Sequence, residues 1–198
     1  MTSLSRERIV LASKSESRRA MLEAAGVDFV VRPAAIDERA LEANMEGADP
    51  AEIAQALAAA KAATVDCDGL VLGSDSLVEV EGRRFDKPAS REEAAKHLRH
   101  FSGRTMALHS AAALARDGRI VWIGSDFARL HVRELSDEFI AAYLDAEWPA
   151  VSHCVGVFRI EGPGPQLFES VIGDQFTVLG MPLLQVLGAL RQEGALLA

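Results

Sequence analysis

The sequence predicts an α/β fold, a mixed sheet flanked by helices, and three observations carry that expectation. Helical patterns sit between short apolar strands early in the chain. Two long strand patterns in the middle, Met106 to Ala115 and Arg119 to Val132, are joined by Arg116-Asp117-Gly118, a hairpin signal. Strand patterns return late, Cys154 to Ile160 and Leu167 to Ile172, on either side of the turn-rich Gly162-Pro163-Gly164-Pro165.

Taken in order, Ile9 to Leu11 reads as a short buried strand. Ser13, Ser15 and Ser17 follow as N-cap hydroxyls, and Ala20 to Ala25 continue a helix that Gly26 stops. Lys14, Arg18 and Arg19 crowd the start of that helix, where each cation opposes the macrodipole at a cost of about 0.3–1 kcal/mol. Free backbone N–H groups point the same way, so strand, serine turn and cations together compose an anion site. The alternative is that the arginines are solvated or paired with Glu16 and Glu23.

Val27 to Arg32 reads as a strand ended by Pro33. Asp37 and Glu38 place two adjacent carboxylates at the start of a loop, and Asp37 to Asp49 is the expected mobile stretch. Asp49-Pro50-Ala51-Glu52 opens a helix over Pro50 to Val65, with a capping Asp, Pro at N1 and Glu at N3. Ile53, Leu57 and Lys61 fall on one stripe of it, so Lys61 either snorkels to solvent or points into a cleft. Leu70 to Val80 is the most strand-like stretch, apolar enough for a strand buried on both faces. Asp75 interrupts that stretch. A buried carboxylate there requires a cation, a metal or hydrogen-bond donors around it.

Glu81 to Arg84 reads as a turn and Phe85 to Pro88 as extended chain, Lys87 being kept out of the helical region by Pro88. Ser90-Arg91-Glu92-Glu93 is a capping box for a helix to Phe101, closed by Ser102-Gly103. Ser136 caps a helix through Glu147, which Trp148-Pro149 ends. The last helix starts near Pro182 and buries Leu183, Val186, Leu187 and Leu190, with Gly194 past its end.

Composition narrows the function classes. The 198 residues are read as one domain, 49% hydrophobic and 25% charged, as in an ordinary soluble globular protein. No run approaches the ~18 apolar residues of a membrane span, and Met1 to Arg8 is polar, unlike a signal peptide. Cys67 and Cys154 form neither a disulfide framework nor a metal spacing, which points to the cytoplasm. With 29 carboxylates against 21 Lys and Arg, net −8, the chain lacks the basic surface of a nucleic-acid binder. An anionic ligand therefore needs a local cationic pocket.

A serine–arginine turn, an Asp-Glu pair, Lys61, a strand-borne aspartate and Lys87 have the composition of a metal-assisted phosphoryl site. No Walker A glycine loop accompanies them. These pieces resemble the Maf family of nucleoside triphosphate pyrophosphatases. The similar segments are Leu11 to Arg19, Ile36-Asp37-Glu38, Lys61-Ala62, Gly73-Ser74-Asp75, Lys87-Pro88, Ser102-Gly103-Arg104 and Leu179-Gly180-Met181-Pro182, in the family's order. The resemblance implies an elongated, twisted mixed sheet with two lobes around a cleft, as in inosine triphosphatase-like proteins. It implies hydrolysis between the α- and β-phosphates with Mg²⁺ or Mn²⁺, in a homodimer.

Carried over by resemblance, Ser13, Arg18, Arg19, Lys61 and Lys87 bind the triphosphate. Glu38 and Asp75 hold the metal, and Asp75 orients or deprotonates the water. Ser17, Ser76 and Glu161 stand where the family's branches sort their bases. The stretches Ser152-His153-Cys154 and Arg159-Ile160-Glu161-Gly162 resemble the 7-methyl-GTP branch more than the dTTP/UTP branch. Asp86 departs from the family's usual Gly-Lys-Pro and is placed to pair with Lys87. The alternative function is a nucleotide-binding regulator of septum formation with little turnover. As phosphate-binding cations held against a helix dipole or an apolar stripe, Arg18 and Lys61 are expected to be removable without a lower melting temperature.

Overall fold

The computed structural model describes residues 4–197. Its elements are β1 (Ile9–Leu11), α1 (Glu16–Ala24), β2 (Phe29–Val31), α2 (Glu38–Ala43), α3 (Pro50–Thr64), β3 (Leu70–Val80) and β4 (Arg83–Phe85). They continue with α4 (Arg91–Phe101), β5 (Thr105–Arg116), β6 (Arg119–Val132), α5 (Asp137–Glu147), β7 (Phe168–Ile172), α6 (Gln175–Val178) and α7 (Leu183–Gln192). The strands form one mixed sheet in the order β2-β1-β3-β5-β6-β7, with β4 also paired to β3. β1 runs parallel to both β2 and β3, whereas β4 on β3 and β7 on β6 are antiparallel.

The chain divides into two compact units, and β3, β5 and β6 contribute residues to both. The first takes the residues up to Ser76, then His109–Asp126, then the chain from Gln175. Strand alternation builds its two faces. Ile9, Leu11, Leu70 and Leu72 enter one apolar cluster with Met21 and Leu22 of α1 and Leu183, Val186 and Leu190 of α7. Val10, Ala12 and Val71 point to the other face. There α3 buries Ile53, Ala54, Leu57, Ala58 and Ala62. Gly73 of β3 lies against α3 so closely that a Cβ at 73 would sit 2.1 Å from the Ala58 carbonyl oxygen and 2.6 Å from the Ala62 nitrogen.

The second unit comprises Leu77–Leu108 and Phe127–Asp174. Its core includes Val78, Phe85, Leu98, Phe101, Met106, Leu130, Ile140 and Leu144. Phe85 packs edge-on against Phe101 and His97 at 4.8 and 5.1 Å between ring centroids. Burial lowers the His97 pKa, with Glu93 acting in the opposite direction.

Most caps and turns form as expected. Asp49 and Glu52 make the reciprocal capping box of α3. Asp117 and Gly118, at φ of 52° and 71°, turn β5 into β6, and both lie in the left-handed region that two-residue hairpins require. Four expectations are corrected. Glu38–Ala43 is a helix rather than loop, because Asp37 caps it by accepting from the Ala40 N–H at 3.0 Å. Arg83–Phe85 forms a strand, since Glu81 and Gly82 adopt φ of 53° and 76° and fold it back onto Val78–Val80. Residues 154–160 are not a strand. Val157 has φ of 55° and its N–H closes a turn on the Cys154 carbonyl, so the apolar side chains there serve core packing instead. Ser90 caps α4 at the Glu93 N–H, but the Glu93 carboxylate accepts from Ala89, one residue beyond the expected box.

Among the described residues, no helix is long and apolar enough to cross a membrane.

Candidate active site

The alternation of β3 assigns its polar residues to two clusters. Gly73 and Asp75 share the face that carries α3, and Ser74 and Ser76 take the other. Asp75 is 8% exposed. Its Oδ1 lies 2.5 Å from Lys61 Nζ, and the same ammonium stands 2.9 Å from Glu38 Oε1. Lys61 is thus not a snorkelling lysine. Its side chain is 11% exposed and ends between two carboxylates, one from the first residue of α2 and one from the middle of β3. The Asp37-Glu38 pair splits into two tasks. Asp37 caps α2 and Glu38 reaches the lysine.

On the opposite face, Arg18 leaves the start of α1 and turns inward. Its Nη1 donates to Ser13 Oγ at 3.1 Å and to the Ser74 carbonyl at 2.9 Å. Nε donates to the Gly180 carbonyl at 2.9 Å and Nη2 to Ser76 Oγ at 3.0 Å. Burial lowers the pKa of this guanidinium, while Asp75 and Glu38 act in the other direction. Ser13 Oγ also accepts from the Ser15 N–H, and Ser15 caps α1 at the Arg18 N–H, so two hydroxyls of the serine turn hold its backbone. Ser17 lies in α1, half-buried. Arg19 goes the other way, to the surface, where it stands 3.7 Å from Glu23. The solvated alternative therefore describes Arg19 and not Arg18.

These contacts reverse the physical argument about stability. Arg18 and Lys61 are fixed in native networks, and removing either leaves buried acceptors or carboxylates without their partner. Such losses destabilise a fold.

Lys87 and Glu161 belong to the second unit and are both exposed. Between them electrostatically is Cys154, whose thiol pKa is pushed up to about 11 by burial and by Glu161, with Arg159 and Lys87 opposing. Arg159 pairs with Glu147 at 3.4 Å, and its carbonyl accepts from both the Gly162 and Gly164 N–H groups, closing the turn that carries Glu161. Asp86 stands 3.8 Å from Arg84 on the surface.

A family model described as Maf-like protein matches residues 8–193. The chain belongs to the Maf family. This Maf chain is 47% identical over 193 residues to a protein named 7-methyl-GTP pyrophosphatase from Rhizobium meliloti (strain 1021), covering 95% of this chain and 97% of the relative. It is 47% identical over 192 residues to nucleoside triphosphate pyrophosphatase 1 of Jannaschia sp. (strain CCS1), covering 94% and 97%. A nucleoside triphosphate pyrophosphatase from Nitrobacter winogradskyi is 44% identical over 190 residues, covering 94% of each.

Sequence reasoning about this Maf chain missed Ser110 and Thr177, whose contacts continue the Arg18 network. A signal was present, because Ser110 is the hydroxyl in the otherwise apolar run Ser110-Ala111-Ala112-Ala113-Leu114.

Proposed function

We propose that the chain is a nucleoside triphosphate pyrophosphatase that cleaves between the α- and β-phosphates. One observation carries this reading. A single ammonium, Lys61, is gripped by Glu38 and Asp75, and the charges of those two carboxylates also act on the half-buried Arg18 guanidinium. Carboxylates and cations in that order suit a polyphosphate whose charge must be neutralised while a water is directed at phosphorus.

The residues present also fit a divalent cation. Two carboxylate oxygens already converge on one positive charge. No group of three or more His, Cys, Asp or Glu among the described residues can cage a metal. Two carboxylates with the remaining ligands from phosphate and water is the arrangement Mg²⁺ commonly takes. Glu38 and Asp75 would hold it, and when bound it supplies Lewis-acid stabilisation of the phosphate charge. With substrate present, Lys61 Nζ turns from the carboxylates to phosphate oxygens. Asp75 then accepts a hydrogen bond from the attacking water and orients it. Orientation of the water is proposed to contribute more than outright proton abstraction. Ser13 and Arg18 complete the anion-binding end. Lys87 is proposed as a further triphosphate ligand, and Arg19 as a peripheral one.

Glu161 is proposed to read the base. A carboxylate only accepts hydrogen bonds, and guanine offers two adjacent donors at N1 and N2. A 7-methylated guanine adds a positive charge that a carboxylate also favours. Uracil and thymine place carbonyl acceptors beside their one donor. The names of the relatives from Rhizobium meliloti and Rhizobium etli, 7-methyl-GTP pyrophosphatase, agree with that direction. The same reading places the protein in the cytoplasm as a homodimer.

The test is hydrolysis of 7-methyl-GTP, GTP, dTTP and UTP with Mg²⁺, scoring pyrophosphate against orthophosphate. Pyrophosphate release, guanine-type substrates leading in kcat/KM, and a shift toward dTTP and UTP in Glu161→Gln are expected. Orthophosphate as the first product would overturn the reaction assignment. Absence of turnover with every nucleotide would favour the regulator instead. A wild type that prefers dTTP and UTP would show that Glu161 does not read the base.

A further inference from the structure

The face of β3 opposite Asp75 holds a closed set of hydroxyl contacts. Arginine has five N–H donors, and those of Arg18 go to Gly180 O, Ser13 Oγ, Ser74 O and Ser76 Oγ, leaving one Nη2 proton for anything else. Ser76 Oγ is 2.9 Å from the Gly180 carbonyl and 3.0 Å from Ser110 Oγ. Ser110, fully buried on β5, has its Oγ 2.9 Å from the Thr177 carbonyl. Two hydroxyl protons thus face three oxygen–oxygen contacts. Neither hydroxyl has a proton to offer a ligand, and the Ser76 oxygen already accepts from Arg18. Gly180 completes the cradle with φ of 104°, where a Cβ would stand 3.2 Å from Ser76 Oγ and 3.8 Å from Arg18 Nη2.

We infer that Ser76 and Ser110 are positioning residues that fix the Arg18 guanidinium through a buried hydroxyl pair, and that Ser76 does not read the base. This rests on the reading of Arg18 as a group that acts on the triphosphate. A guanidinium with four of five donors committed cannot rotate to follow a substrate. It presents one N–H and a fixed positive charge, and the serine pair sets where.

The experiment is a double-mutant cycle on the full-length protein, with kcat/KM measured for 7-methyl-GTP, GTP, dTTP and UTP and melting temperature followed for every variant. Ser76→Ala is expected to lower kcat/KM by about tenfold, the size of its hydrogen bond to the Arg18 guanidinium, and Ser110→Ala by about threefold, the size of a neutral hydrogen bond, because it acts through Ser76. Each factor should be the same for all four nucleotides and should vanish in an Arg18→Met background. A loss that differs between bases would overturn the inference, because the hydroxyl would then be reading the base. Losses that persist in the Arg18→Met background, or no loss at all, would overturn it too. If Arg18→Met itself keeps full activity, the reading of Arg18 fails, and this result is distinct from the others. Should fully buried Ser110→Ala not fold, half-buried Ser76→Ala carries the same cycle.

Discussion

Asp75→Asn is expected to fold normally and to turn over its best nucleoside triphosphate at least ~10²-fold more slowly than the wild type. Asparagine keeps the shape and still offers Lys61 an oxygen acceptor, and Glu38 retains its contact to the same ammonium at 2.9 Å. What is lost is the negative charge proposed to direct water and to share in holding a cation. The measurement is pyrophosphate release under saturating nucleotide and Mg²⁺, paired with a melting curve. Near-normal turnover from a protein with an unaltered melting curve would remove Asp75 from the chemistry.

Lys61→Met carries the second large effect, and it concerns stability as well as activity. The methionine preserves the apolar stem on α3 but leaves Glu38 and Asp75 facing each other without the ammonium between them. Removing one partner of a buried ion pair costs about 3–5 kcal/mol. Glu38, half exposed, can turn to water, so the low end applies, about 3 kcal/mol. At roughly 2–4 °C per kcal/mol for a chain of this size, the melting temperature in chelator should fall by about 6–12 °C. Millimolar Mg²⁺ or Mn²⁺ should restore part of that loss, since a cation that binds the folded state alone stabilises it. An unchanged melting temperature would mean that the lysine contributes nothing to the fold. A fall that no divalent ion reverses would argue against the carboxylate pair as a cation site.

The frame of the molecule was legible where one local rule acted alone. The apolar run at Leu70 to Val80, the Asp49-Pro50-Glu52 cap and the Asp117-Gly118 turn each became the expected element. Legibility failed where tertiary packing competed with pattern. Val155, Val157, Phe158 and Ile160 look like a strand, but Val157 in the left-handed region turns the chain and buries its side chain without pairing. In the candidate site, the residue types marked the serine turn with Lys14, Arg18 and Arg19 as a candidate anion site. Whether Arg18 or Arg19 pointed inward was not readable, because both directions satisfy helix spacing and three of the four acceptors that fix Arg18, Ser74, Ser76 and Gly180, lie 56, 58 and 162 residues away. Lys61 was similarly undecided until Asp75 and Glu38 were seen around it. Long-range acceptors leave no local signature.

Gly73 carries a consequence for how this protein tolerates change. It shares a strand face with Asp75, and α3, which bears Lys61, rests directly on its bare Cα. Even an alanine there would wedge the helix outward, carrying the ammonium away from its aspartate while leaving every charged group in the sequence intact. The gauge of the ion pair is thus set by missing atoms. An inactive Gly73→Ala protein would display every side chain proposed for the chemistry and yet hold them at the wrong spacing, a lesion visible only in three dimensions.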